Sequence, residues 1–81
     1  MALDIEIRYF AAARAAAGAD SVRVNPATLS LILTELGESN PALAHVIAQC
    51  SFLVDSIAAT DLNMHVNAGS VIDVLPRFAG G

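Results

Sequence analysis

The two ends of this 81-residue chain alternate with the period of a strand, while its middle repeats with the period of a helix. That contrast limits the fold more than any other feature. Near the start, Leu3, Ile5, Ile7 and Tyr9 alternate with Asp4, Glu6 and Arg8, the pattern of a half-buried strand. At the other end Val71-Ile72-Asp73-Val74-Leu75 reads as a last strand, with Ile72 and Val74 inward and Val71 and Leu75 outward. Between them Leu29, Ile32, Leu33 and Leu36 fall at i, i+3, i+4 and i+7, one apolar stripe on a helix. Thr28 is placed to cap that helix and Gly37 to end it. Asn40-Pro41 opens a second helix, a capping side chain followed by proline at the first helical position. Leu43, Val46, Ile47 and Cys50 continue the helical spacing.

Shorter signals fill the gaps. The first alternation breaks at Phe10, and Ala11 to Ala17 reads as one or two helical turns closed by Gly18. Ser21 to Val24 is a short strand returning as a hairpin partner, followed by a turn at Asn25-Pro26. Ser51 to Val54 is a compact apolar strand ended by Asp55-Ser56. Residues 58–70 are loop-rich, with a small strand at Ile57-Ala58 and a turn at Asn67-Ala68-Gly69. The order β, β, helices, β, β, β describes an α+β roll with a mixed sheet and a helical crossover. By analogy at the level of the fold, its first and last strands are central and parallel. One small domain over residues 1–75 is expected, followed by a flexible C-terminal tail over residues 76–81.

Composition excludes several functions. Hydrophobic residues make up 56% of the chain, but sixteen of them are alanine, which adds little burial and favours helix. The run Ala11 to Ala17 is broken by Arg14 and is far too short to span a bilayer, so no membrane association is expected. The N-terminus carries no secretory pattern, which makes the cytoplasm the expected location. Four arginines, no lysine and a net charge of −4 argue against nucleic-acid binding, which needs a basic footprint. Lysine's absence also denies the chain any side-chain amine for isopeptide attachment to itself. A single cysteine, Cys50, rules out an internal disulfide and any cysteine-based zinc cluster.

The last residues, Pro76-Arg77-Phe78-Ala79-Gly80-Gly81, carry the functional signal. Pro76 has no N–H to give a sheet ladder and is expected to end the strand. Beyond it the chain narrows to two glycines, and six extended residues reach about 20 Å. Such a tail can carry a terminal carboxylate into another protein's active site; the alternative is a frayed end without a task.

No catalytic constellation accompanies it. His45 and His65 lack metal-ligand spacing and read as surface residues, Cys50 as a buried structural thiol, and Asp55, Asp61 and Asp73 as solvated acids. No glycine-rich phosphate cradle is present, because Gly18, Gly37 and Gly69 each stand alone. Activation of the Gly81 carboxylate by ATP therefore needs a nucleotide bound by a partner, and the chain itself is expected to bind no cofactor. Outward parity places Phe10 and Leu75 near one end of the sheet, beside Phe78, as an apolar docking patch bordered by Arg14 and Arg77. The alternative is that Phe10 and Phe78 fold onto the domain's own core.

A strand followed by Phe10-Ala11, then Arg14, then Gly18, resembles the start of the MoaD-type small subunit of molybdopterin synthase, within the sulfur carriers that include ThiS. The terminal Gly80-Gly81 and the length agree, so the resemblance covers the whole chain. It implies a ubiquitin-like β-grasp fold. It also implies that an E1-like adenylating enzyme uses ATP on the Gly81 carboxylate, and that a sulfur donor then converts it to a thiocarboxylate. The tail, with Gly80 and Ala79 keeping it narrow, would enter a MoaE-type large subunit and deliver sulfur to a pterin precursor of the molybdenum cofactor. Phe10 and Arg14 match family positions at the subunit interface. Two departures touch that interface: Ala15 stands where glutamate is common, and Arg77-Phe78 where the family often has Pro-Val. Alternatives are a carrier for thiamine or another sulfur pathway, a ubiquitin-like protein modifier, or an interaction module whose tail is never activated.

Overall fold

A computed structural model describes residues 4–77. Their order is β1 (Ile5–Tyr9), α1 (Ala11–Ala17), β2 (Ser21–Val24), β3 (Ala27–Thr28), α2 (Leu29–Ser39), α3 (Pro41–Ile47), β4 (Cys50–Val54), β5 (Ile57–Ala58), β6 (His65–Val66) and β7 (Val71–Pro76). Five strands form one mixed sheet in the order β2-β1-β7-β4-β5, and β3 pairs with β6 in a two-stranded ribbon. The first and last strands of the sheet are neighbours and run parallel, with Ile7 opposite Ile72 and Tyr9 opposite Val74.

The alternation in the sequence becomes the core. Ile5, Ile7, Tyr9, Ile72, Val74, Phe52 and Val54 are buried in one cluster with Ala13 of α1, Leu29, Ile32 and Leu33 of α2, and Leu43 of α3. Helix α2 begins where the Thr28 side chain accepts from the Leu31 N–H. Asn40 does two jobs: its Oδ1 accepts from the Leu43 N–H to cap α3, and its Nδ2 donates to the Ala16 carbonyl at 2.9 Å. That second bond ties the end of α1 to the start of α3.

Several expectations need correction. Gly37 does not end α2, which continues to Ser39. A Cβ at position 37 would stand 2.9 Å from the Ala44 Cβ, so glycine is there for the close approach of α2 and α3. Cys50 lies at the head of β4, not on α3, which ends at Ile47. The two short strands β3 (Ala27–Thr28) and β6 (His65–Val66), paired antiparallel, are absent from the sequence-based expectation. Pro76 does end β7, as its last residue and paired with Cys50, one residue beyond the expected Val71–Leu75. The neighbouring Arg77 N–H donates to Gln49 at 3.2 Å, so the bonding positions on the β4 side fall at Arg77. Proline's missing donor therefore faces the side where β1 has already ended.

Of the three acids expected to be solvated, Asp55 and Asp61 are exposed and Asp73 is not. Asp73 is 7% exposed and sits directly opposite Arg8 on the adjoining strand, on the sheet face away from the helices. Arg8 Nε donates to Oδ1 at 2.6 Å and Nη2 to Oδ2 at 3.1 Å, a two-pronged pair. That bond, and then the carboxylate's charge, raises the Arg8 pKa further. Asp55 is exposed but binds the Val71 N–H and the Ser70 hydroxyl, both at 2.9 Å, bracing the start of β7. Asp61 is exposed and accepts from the Asn63 N–H.

Candidate functional site: the root of the C-terminal tail

The parallel pairing of β1 and β7 brings the end of the first strand to the end of the last. After Tyr9 pairs with Val74, the Phe10 N–H donates to the Val74 carbonyl at 3.3 Å, which sets Phe10 beside Leu75 in register. Phe10 is 39% exposed, one of few large apolar residues left open, so it does not fold back into the core. Its own carbonyl accepts from Ala13 at 3.0 Å and from Arg14 at 3.4 Å, so it is held at both backbone groups.

The chain turns from β1 into α1 with no linker. Ala11 takes φ +51°, the left-handed region, a cost of about 1–2 kcal/mol for a residue with a Cβ. Burial of Ala13 and the bond from Asn40 to Ala16 hold α1 against that strain. Gly18 closes the helix as expected, with φ +75° and its N–H on the Arg14 carbonyl. Arg14 is exposed one turn from Phe10, and its guanidinium is 3.9 Å from the exposed Asp20 carboxylate. Leu75 is half-buried opposite Ser51, and Arg77 is exposed where the chain leaves the sheet. Phe78, Ala79, Gly80 and Gly81 lie outside the described residues.

Among the described residues, no group of His, Cys, Asp and Glu is placed to hold a metal ion. Cys50 is buried, its thiol donates to the Val46 carbonyl at 3.2 Å, and burial pushes its pKa up, which makes it a poor nucleophile. Burial likewise raises Tyr9. His45 and His65 are exposed. The described residues here leave Phe10 open, Leu75 half-buried and Arg14 and Arg77 exposed where β7 ends. Sequence reasoning missed the left-handed turn at Ala11 and the Arg8–Asp73 pair; the latter was signalled only by opposite charges at matching positions of two strands.

A family model described as the ThiS family matches residues 7–81. The chain belongs to the ThiS family. Its fold is the ubiquitin-like β-grasp, shared with solved structures that span nearly all of this ThiS-family chain. SAMP1 from Haloferax volcanii is 28% identical, with a TM-score of 0.80 over 96% of this chain and 99% of that one. A putative molybdopterin converting factor subunit 1 from Pyrococcus furiosus is 17% identical, with a TM-score of 0.81 over 93% and 98%. A chain from the complex of subunits 1 and 2 of molybdopterin-converting factor from Helicobacter pylori is 21% identical, with a TM-score of 0.71 over 95% and 97%. No curated protein matches the chain significantly. Among the described residues, no helix is long and apolar enough to cross a membrane.

Proposed function

We infer that this ThiS-family chain is the sulfur-carrying small subunit of a molybdopterin synthase, acting in the cytoplasm. The observation that carries the reading is the continuity of the family match through Gly81 with an open apolar root beneath it. An E1-like enzyme binds ATP in trans. The Gly81 carboxylate attacks the α-phosphorus and displaces pyrophosphate, giving an acyl-adenylate. Sulfide-level sulfur from a donor protein then adds to the acyl carbon, AMP leaves with its bonding pair, and a thiocarboxylate remains. Phe10, Leu75 and Phe78 seat the domain on a MoaE-type large subunit, with Arg14 and Arg77 at the rim, while Ala79-Gly80-Gly81 reaches the bound pterin. The domain contributes position, and the chemistry belongs to the partners' sites.

The Phe10-Ala11…Arg14…Gly18 segment favours the pterin pathway, since it forms the strand end, turn, helix and cap that frame the tail root. A second reading has its own support: the likeness to SAMP1, a small archaeal modifier protein, at 28% identity favours a tail joined to other proteins. One experiment separates them. The thiocarboxylate form is incubated with a large synthase subunit and the pterin precursor, and in parallel the carboxylate form is incubated with ATP, the adenylating enzyme and cell protein. Molybdopterin in the first mixture, with the carrier returned as carboxylate, supports the synthase role. No molybdopterin, with amide-linked adducts in the second, supports the modifier.

A further inference from the structure

A second apolar surface lies between α2, α3 and β4. It is a groove of about 600 Å³ whose lining includes Leu33, Ile47, Cys50, Phe52 and Leu62, together with Glu38. The contact of Gly37 with Ala44 draws the two helices together, and the small side chains of Ala44 and Ala48 leave the space above them unfilled. Leu62 is 46% exposed, yet its carbonyl accepts from the Ser30 N–H at 2.7 Å, so this residue is fixed to the start of α2.

The one charged side chain that lines the groove, Glu38, is acidic. All four arginines lie outside residues 24–76, a stretch with five acids and no lysine or arginine. Asp73 is neutralised by Arg8 on the far face of the sheet. Glu35 and Glu38 lie exposed on successive turns of α2, and Asp61 is exposed next to Leu62. The tail root, by contrast, carries Arg14 and Arg77.

We propose that this groove docks an amphipathic helical segment of a partner protein whose apolar face is flanked by arginine or lysine. Apolar side chains at helical spacing fill the groove, and the basic flanks meet Glu35, Glu38 and Asp61. The opposite charge of the tail root keeps such a segment from docking there. Among the described residues, none that lines the groove belongs to the tail, so the proposal stands apart from sulfur carriage.

The test uses the full chain labelled with nitrogen-15 and a synthetic leucine–lysine amphipathic helix of about 18 residues, long enough to hold helical structure. The expected result is saturable amide shifts at Leu33, Gly37, Ala44, Ile47 and Ala48, with Phe10 and Leu75 unmoved. A leucine–glutamate peptide of the same pattern should bind at least about tenfold more weakly, as should the lysine peptide to Glu38→Arg. Thr34→Trp, at an exposed groove position, should abolish the shifts while Tm stays unchanged. Docking should also slow alkylation of Cys50, the chain's single thiol. Shifts spread over the whole surface, equal binding of both peptides, or insensitivity to Thr34→Trp would each overturn the proposal. So would groove shifts that grow with protein concentration in the absence of peptide, which would assign the groove to a second copy of this chain.

Discussion

The tail root and the helical groove are both apolar patches on the same small domain, but they arise in different ways. The tail root is assembled by backbone pairing: parallel β1 and β7 deliver Phe10 and Leu75 to one end of the sheet, and Arg14 follows one turn later. The groove is left by small residues: Gly37 and Ala44 let two helices close, and little rises from α3 to fill the gap. One surface has basic neighbours and the other acidic. The difference teaches that a domain of this size can keep two partners apart by charge while using similar apolar chemistry at both.

The largest expected effect isolates the tail from everything else. Deleting Gly81 should abolish sulfur transfer, measured as product formed with the large subunit, while Tm and peptide binding in the groove remain as in the parent chain. A substantial fall in Tm would instead make the tail part of the fold.

Next comes the sheet that carries the tail root. Arg8→Ala strips the partner from a carboxylate that is nearly buried, and should lower Tm by roughly 5–10 °C in a thermal melt. Asp73→Ala should cost clearly less, because the Arg8 side chain is 48% exposed and can rehydrate. Equal losses from the two variants would mean that the pair contributes through packing alone.

Gly37→Ala should act on the groove side. Alanine's better helix propensity, about 1 kcal/mol, is opposed by overpacking against Ala44, which costs about 1–3 kcal/mol. A net loss in urea denaturation, recovered in part by adding Ala44→Gly, is the expected outcome. A gain in stability from Gly37→Ala alone would show that the helices can part without penalty.

The smallest effect on the fold should come from Phe10→Ala. Affinity for the large subunit should fall at least tenfold, about 1.4 kcal/mol, while groove binding is unchanged. Unchanged affinity for the large subunit would remove Phe10 from the interface.

Much of this architecture was legible because periodicity reports burial directly. The alternation of Ile5, Ile7 and Tyr9, the stripe from Leu29 to Leu36, and the last strand all stand where their patterns put them. Thr28, Asn40-Pro41 and Gly18 signal caps through local chemistry, and each does so here. Two of the misreadings share a cause: the deciding residue belongs to another element. Gly37 looks like a helix end until Ala44 on the next helix is placed against it. Cys50 keeps helical spacing from Val46 and Ile47 by coincidence, since the chain turns at Gln49 into β4. Asp73 looks solvated until the register sets Arg8 opposite it. The meeting of Phe10 and Leu75 could be read because parallel first and last strands imply it. The groove could not, because it is defined by side chains too small to leave a pattern.

The central claim is that Gly81 is where sulfur is loaded. The most direct measurement is the intact mass of the full chain after incubation with ATP, a sulfur donor and an E1-like enzyme. Replacement of one carboxyl oxygen by sulfur should add about 16 Da, confined to the C-terminal peptide. An unchanged mass, with the enzyme shown to be active on another carrier, would contradict the account and leave a β-grasp domain that only binds.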